Sequence, residues 1–256
     1  MKKILGILIV VLCFLMQSSV LAKNENAIDN VKNDKKYKFE VKKSNNVFEP
    51  EEVNSSSEKT PANPLYPAKY TTDYIKDIRG EYTCSAKEEV FIVALDMLKG
   101  TTGEFSRNAI LGKNLTGKSV KITFKDLKAV KPEYDSFDAL GWRKGNTLYI
   151  YVNQKHNHSP AIAIAALLAH EACHQDQYNS LAEETYAWTM EAAVWCELLE
   201  LYPDYELGQD ALVQREMTLK KLFEKGNYTN KYIKKTVHTN ESYQNIPETS
   251  PGFEDL

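Results

Sequence analysis

The chain has 256 residues, 43% of them hydrophobic and 26% charged, with a formal net charge of −3. That length beyond the leader fits one domain with a core of its own. No basic patch with interleaved aromatic residues is present, so nucleic acid is not expected as a partner.

At the start, Lys2 and Lys3 precede an apolar run from Ile4 to Met16 and the small-residue end Val20-Leu21-Ala22. This is the pattern of a secretory signal peptide cleaved after Ala22, which predicts an exported (periplasmic or secreted) protein. The run is too short for a permanent transmembrane helix, and no later segment is long and apolar enough, so no membrane span is expected after cleavage. Leu12 before Cys13 is large where a lipid-attachment site needs a small residue, so lipid anchoring is not expected either. Residues 23–64 are rich in Lys, Asn, Glu and Ser, with nearly balanced charge and no sustained periodicity. They read as a disordered polar spacer, with a propeptide as the functional alternative.

The domain is expected over residues 65–226. Ser85-Ala86-Lys87-Glu88 has the form of a capping box and predicts a helix through Val90, Phe91, Val93, Ala94, Leu95, Met97 and Leu98, ending at Gly100. Thr101 to Gly117 reads as loop, and Val120 to Phe124 alternates as a strand. Leu140–Lys144 and Thr147–Asn153 flank Gly145-Asn146, a hairpin turn. Leu148–Val152 is expected as an edge strand, either plain or one along which an extended peptide adds. The loop after it carries His156 and His158, which read as solvated histidines or as a second metal or oxyanion site.

Ser159-Pro160 then reads as N-cap and first residue of a helix, followed by an uninterrupted apolar run from Ala161 to Ala169. A helix apolar on every side is a buried one. At its end stands His170-Glu171-Ala172-Cys173-His174, the pattern HExxH, with the helix expected to run on to about Gln177. Residues four apart on a helix share a face, so both imidazoles can grip one Zn2+ while leaving it open to water and substrate. Glu171 beside them is placed as general base. Burying three such groups in the most apolar helix of the chain without a purpose would be costly.

A catalytic zinc site of this type needs a third ligand, and the nearby choices are the carboxylates Asp176, Glu183, Glu184 and Glu191. Asn179-Ser180 marks a turn, and Ser180 with Glu183 forms a second capping box that opens a helix carrying Ala187, Met190, Val194 and Leu198 on one stripe. Helices joined by so short a turn pack antiparallel. With Asn179 at the centre of the hairpin, His174 falls opposite Glu184 and His170 opposite Trp188. Glu183 is assigned to the cap, and Glu191 lies past the level of both histidines, where it can accept from a ligand imidazole. Geometry therefore favours Glu184, with Glu183 and Glu191 as the alternatives. Tyr178 and Tyr186 flank the hairpin as packing residues or oxyanion donors.

HExxH followed by a helix bearing Glu184-Thr185-Tyr186-Ala187 resembles the gluzincin metallopeptidases, especially their small, minimal members. The resemblance covers roughly residues 85–200. It implies a zinc-dependent peptidase with His170, His174 and Glu184 as ligands, Glu171 as base and a peptide or protein as substrate. Trp188 stands where one group of gluzincins carries Asp, and the spacing from His174 to Glu184 is short.

Of the cysteines, Cys84, Cys173 and Cys196 lie beyond the leader, an odd number that leaves at least one unpaired. Cys173 reads as a core residue, and a Cys84–Cys196 bridge stays open. Leu207 to Phe223 predicts a third amphipathic helix closed by Gly226, after which residues 227–256 read as a polar, fraying tail. The expected fold is a small zincin-like α+β domain: an N-terminal helix, a small β-sheet, the HExxH helix and a glutamate-bearing helix. The expected function is that of an exported metallopeptidase with one Zn2+ per chain. The alternative is a non-catalytic zinc-binding or adaptor protein on the same fold.

Overall fold

The structure is a computed structural model that describes residues 65–114, 116–174 and 178–254. The expected signal peptide, the spacer and Asp176 lie outside the described residues. Within them the chain is mixed α+β, with eight α-helices and one three-stranded sheet. None of these helices is long and apolar enough to cross a membrane.

Helix α1 (Thr72–Tyr82) starts on Thr71, whose hydroxyl accepts from the Tyr74 N–H. Helix α2 (Glu89–Met97) is buried along almost its whole length. It begins after the expected capping box, because the Ser85 hydroxyl donates to the Ile110 carbonyl at 3.1 Å and does not cap. The stretch read as loop contains α3 (Glu104–Ile110), whose Ser106 donates to the Ala169 carbonyl at 2.8 Å. Buried Ala109 and Ile110 and contacts such as this one order a segment with too few apolar residues to announce itself.

Strands β1 (Lys121–Lys125), β2 (Ala139–Lys144) and β3 (Thr147–Asn153) form the sheet, with short helix α4 (Leu127–Val130) between the first two. The order is β1-β3-β2, with β1 parallel and β2 antiparallel to β3. The expected edge strand Leu148–Val152 is therefore the central strand. Its backbone groups pair on both sides, so it has none left to receive a peptide.

Helix α5 (Ala161–Glu171) is central among the described residues, with every residue buried. It packs against α2, α3, α6 (Leu181–Leu201) and α7 (Ala211–Lys225) and touches β2. Helix α7 begins later than expected, after Asp210, whose carboxylate accepts from the Leu212 and Val213 N–H groups. The expected fraying tail instead folds. Helix α8 (Lys231–Thr239) buries Ile233 and Val237 against Leu219 and Phe223 of α7 and Ala192, Ala193 and Cys196 of α6. Helix α6 consequently serves two cores, this one and the larger core around α2 and α5. Cys84, Cys173 and Cys196 are all free, so no Cys84–Cys196 bridge forms.

The N-terminal helices are riveted by Asp96 of α2, which is only 4% exposed. It accepts from the hydroxyls of Tyr70 at 3.1 Å, Tyr82 at 3.0 Å and Tyr74 at 3.3 Å and pairs with Lys99 at 2.9 Å. Burial pushes its pKa up, but Lys99 and the hydroxyls outweigh burial and hold it below the ordinary value. Asp96→Asn is expected to cost roughly 2–4 kcal/mol in urea unfolding at neutral pH. Because the folded-state pKa is depressed, this contribution is fully present above the unfolded value of about 3.9 and fades as pH falls below it. The gap between wild type and variant should therefore close only on the acid side.

Candidate metal centre

The apolar run that buries α5 carries His170 and Glu171 to its last turn, leaving them 5% and 8% exposed. The α-helix ends there, earlier than the expected Gln177. The N–H groups of Cys173 and His174 bond the carbonyls of His170 at 2.8 Å and Glu171 at 3.3 Å, each three residues back. This tightened turn still stacks the second histidine on the first. The two Nε2 atoms lie 3.3 Å apart. Two nitrogens on a tetrahedral zinc at 2.0–2.1 Å stand about 3.4 Å apart, so the spacing fits one shared ion.

Helix α6 runs back along α5 and brings its glutamates to the same place. Ser180 caps it by accepting the Glu183 N–H at 3.0 Å. One residue on, Glu184 places Oε2 3.8 Å from His170 Nε2 and Oε1 3.8 Å from His174 Nε2. One ligand atom from each of His170, His174 and Glu184 falls within 4.8 Å of the others, a grouping that could hold a metal ion. Glu184 Oε1 accepts from Asn179 Nδ2 at 2.9 Å, whereas Oε2 is buried with no hydrogen-bond partner among the described residues. An orphaned buried carboxylate oxygen calls for a cation.

The other nitrogen of each histidine is committed. His170 Nδ1 meets Glu191 Oε2 at 3.0 Å, and His174 Nδ1 meets Glu183 Oε1 at 2.9 Å. Glu183 thus corrects the sequence reading. Only its backbone belongs to the cap, and its side chain reaches His174. Glu191 is not beyond the histidines but level with His170, because α6 carries it there two turns after Glu184. With both Nδ1 atoms donating to carboxylates, both Nε2 atoms present lone pairs to a common point. A cation placed between the two Nε2 atoms would also meet Glu184 Oε2.

The surrounding carboxylates favour positive charge at this place, whether a proton or a metal ion carries it. Burial pulls the His174 pKa down, but the Glu183 hydrogen bond and the charges of Glu184 and Glu171 outweigh it and raise it to about 9. Burial raises the Glu171 pKa above the ordinary carboxylate value, the imidazoles oppose it, and Glu184 and Glu191 add to it. Burial also pushes the Cys173 thiol up, and its sulfur donates to the Ala169 carbonyl at 3.4 Å, so it is not a ligand.

Arg215 of α7 holds the outer layer, and sequence reasoning missed it. Its guanidinium forks onto Glu191 at 2.6 and 2.9 Å and also reaches Glu216 at 3.0 Å and Asp138 at 3.2 Å. Asp138 in turn meets His156 Nε2 at 2.7 Å. His156 is therefore a buried structural partner and His158 is exposed, and neither joins the metal-binding group. Of the flanking tyrosines, Tyr178 is 47% exposed, and Tyr186 packs edge-on against Phe253. A tyrosine close to Glu184 comes from the C-terminal part. The Tyr243 hydroxyl accepts from Trp188 Nε1 at 3.2 Å, and burial, then the charge of Glu184, keep it protonated. Trp188 packs beside the histidines. Its ring lies 6.4 Å from His170 and under the Arg215 guanidinium at 5.6 Å. No signal in the sequence links Arg215 or Tyr243 to the motif, since each comes from an element with its own period. Comparison of the chain with protein-family models, with curated proteins and with solved structures finds no match, so the chemistry of the centre is carried by its own residues.

Proposed function

We propose that this centre binds one zinc ion per chain and that the protein is an exported, zincin-like metallopeptidase acting on peptide or protein substrates. The observation that carries the reading is the convergence of His170 Nε2, His174 Nε2 and Glu184 Oε2, with both remaining imidazole nitrogens held by carboxylates. Nitrogen and oxygen donors in this number suit zinc with one position left open. When bound, such an ion supplies Lewis-acid polarisation of a water and of a peptide carbonyl. Glu171 is not among the three ligands. Its raised pKa suits a group that takes a proton from the attacking water and delivers it to the leaving amine. Tyr243, held neutral beside Glu184, offers a hydroxyl proton to the carbonyl oxygen as negative charge grows on it.

A non-catalytic zinc-binding or adaptor protein would use the same three ligands but would have no need of Glu171. Metal analysis and a casein hydrolysis assay separate the readings. Protein purified without added metal is expected to hold about one zinc per chain, lost in His170→Ala. Glu171→Gln should keep the zinc and lose hydrolysis by at least about a hundredfold. Zinc-loaded wild type that cleaves nothing supports the non-catalytic reading. Wild type that takes no zinc even when supplied with it overturns the centre.

A further inference from the structure

The two histidines are not held alike. His170 stands inside α5, with its Glu191 partner gripped by Arg215. His174 lies past the end of that helix, and its side chain is 18% exposed against 7% for His170. Something else must hold its partner, Glu183.

The first N–H groups of any α-helix lack intrahelical acceptors. At α6 the Ser180 hydroxyl takes that of Glu183, while those of Leu181 and Ala182 bond the carbonyls of Pro247 at 2.9 Å and Glu248 at 3.0 Å. The chain thus crosses the start of α6, with residues 247–249 exposed and Ser250 turned inward at 7% exposure. Ser250 Oγ donates to Glu183 Oε2 at 3.1 Å and meets Ser180 Oγ at 2.9 Å. Both oxygens of Glu183 are then occupied, Oε1 by His174 and Oε2 by Ser250. A carboxylate held at two points cannot rotate, and its hydrogen bond fixes the imidazole it faces.

We propose that residues 247–250 form a positioning strap for the metal centre, in which Ser250 fixes Glu183 and Glu183 fixes His174. Its consequence for zinc affinity rests on the zinc reading above, whereas its consequence for the His174 imidazole does not. The test uses the full chain as wild type, Ser250→Ala and Ser250→Thr, with a chain ending after Gln244 as a fourth form. Zinc affinity is read by chelator competition, and the Nδ1–H signals of His174 and His170 by NMR of metal-free protein.

Ser250→Ala is expected to weaken zinc binding about three- to tenfold, less than the ~10–100-fold of a direct ligand partner. It should shift the His174 Nδ1–H signal and speed its exchange, leaving His170 unmoved. Ser250→Thr keeps the hydroxyl and should restore both, and the shortened chain should lose at least as much as Ser250→Ala. An unchanged His174 signal in Ser250→Ala, or equal changes at both histidines, overturns the strap. If the shortened chain fails to fold, the single-oxygen change in Ser250→Ala still decides. Wild type that binds no zinc while its His174 signal answers to Ser250 would remove the zinc reading and leave the strap standing.

Discussion

Glu184→Gln is expected to weaken zinc binding by about two to four orders of magnitude, read by competition with a chromophoric chelator. The amide is nearly isosteric and can still meet Asn179, so the fold should hold. What disappears is the charge on the one buried oxygen without a hydrogen-bond partner among the described residues. A neutral amide oxygen is a poor zinc ligand beside two neutral imidazoles. Glu183→Gln and Glu191→Gln leave all three ligand atoms in place and should each cost only about 10–100-fold, through His174 and His170 respectively. A larger loss at Glu183 or Glu191 than at Glu184 would move the third ligand to that residue.

The largest effect on stability is expected at Arg215. Its guanidinium is the shared counter-ion of Glu191, Glu216 and Asp138, and the first two side chains are fully buried. Burial, then the neighbouring charge of Glu191, already drives the Glu216 pKa well above the ordinary value. Arg215→Met leaves these acids facing one another and should cost about 3–5 kcal/mol in urea unfolding, as when one partner of a buried ion pair is removed. It should also weaken zinc binding ~10–100-fold, because Glu191 then no longer holds His170 in place. Arg215→Lys should recover only part of both, since one ammonium cannot fork onto a carboxylate. The double variant Arg215→Met/Glu191→Leu separates the two roles. Swapping a buried pair for apolar side chains should return most of the stability, while zinc affinity stays low. Recovery of both together would mean that Glu191 does not act on His170.

The parts of the centre legible in the sequence are those that helical period and turn counting can reach. The four-residue spacing of His170 and His174 and the count across Asn179 bring Glu184 to the histidines. The same counting could not say which of two partners Glu183 would choose, because the cap needs its N–H and His174 needs its carboxylate. Nor could alternation within Thr147–Asn153 tell a central from an edge strand. Ile150 and Val152 turn inward in either case, and the parallel neighbour β1 lies across a crossover. Helix α8 was legible in principle, since Ile233 and Val237 stand one turn apart, but polar composition hid it. Arg215, Tyr243 and Ser250 reach the centre through tertiary packing alone, which no local pattern records.

The crossing of the chain over the start of α6 also bears on the order in which the centre can assemble. Ser250 and the Glu183 it holds are separated by 67 residues, and the ribosome makes the later one last. Helices α5 and α6 can pair as soon as both have emerged, bringing the two histidines and Glu184 together while α8 is still unmade. In that interval the N–H groups of Leu181 and Ala182 lack their Pro247 and Glu248 acceptors, and Glu183 lacks Ser250. A chain in which residues 247–250 have yet to dock has all three metal-binding side chains but a loosely held second histidine. If the centre holds zinc as proposed, its grip on the ion should tighten when residues 247–250 fold back.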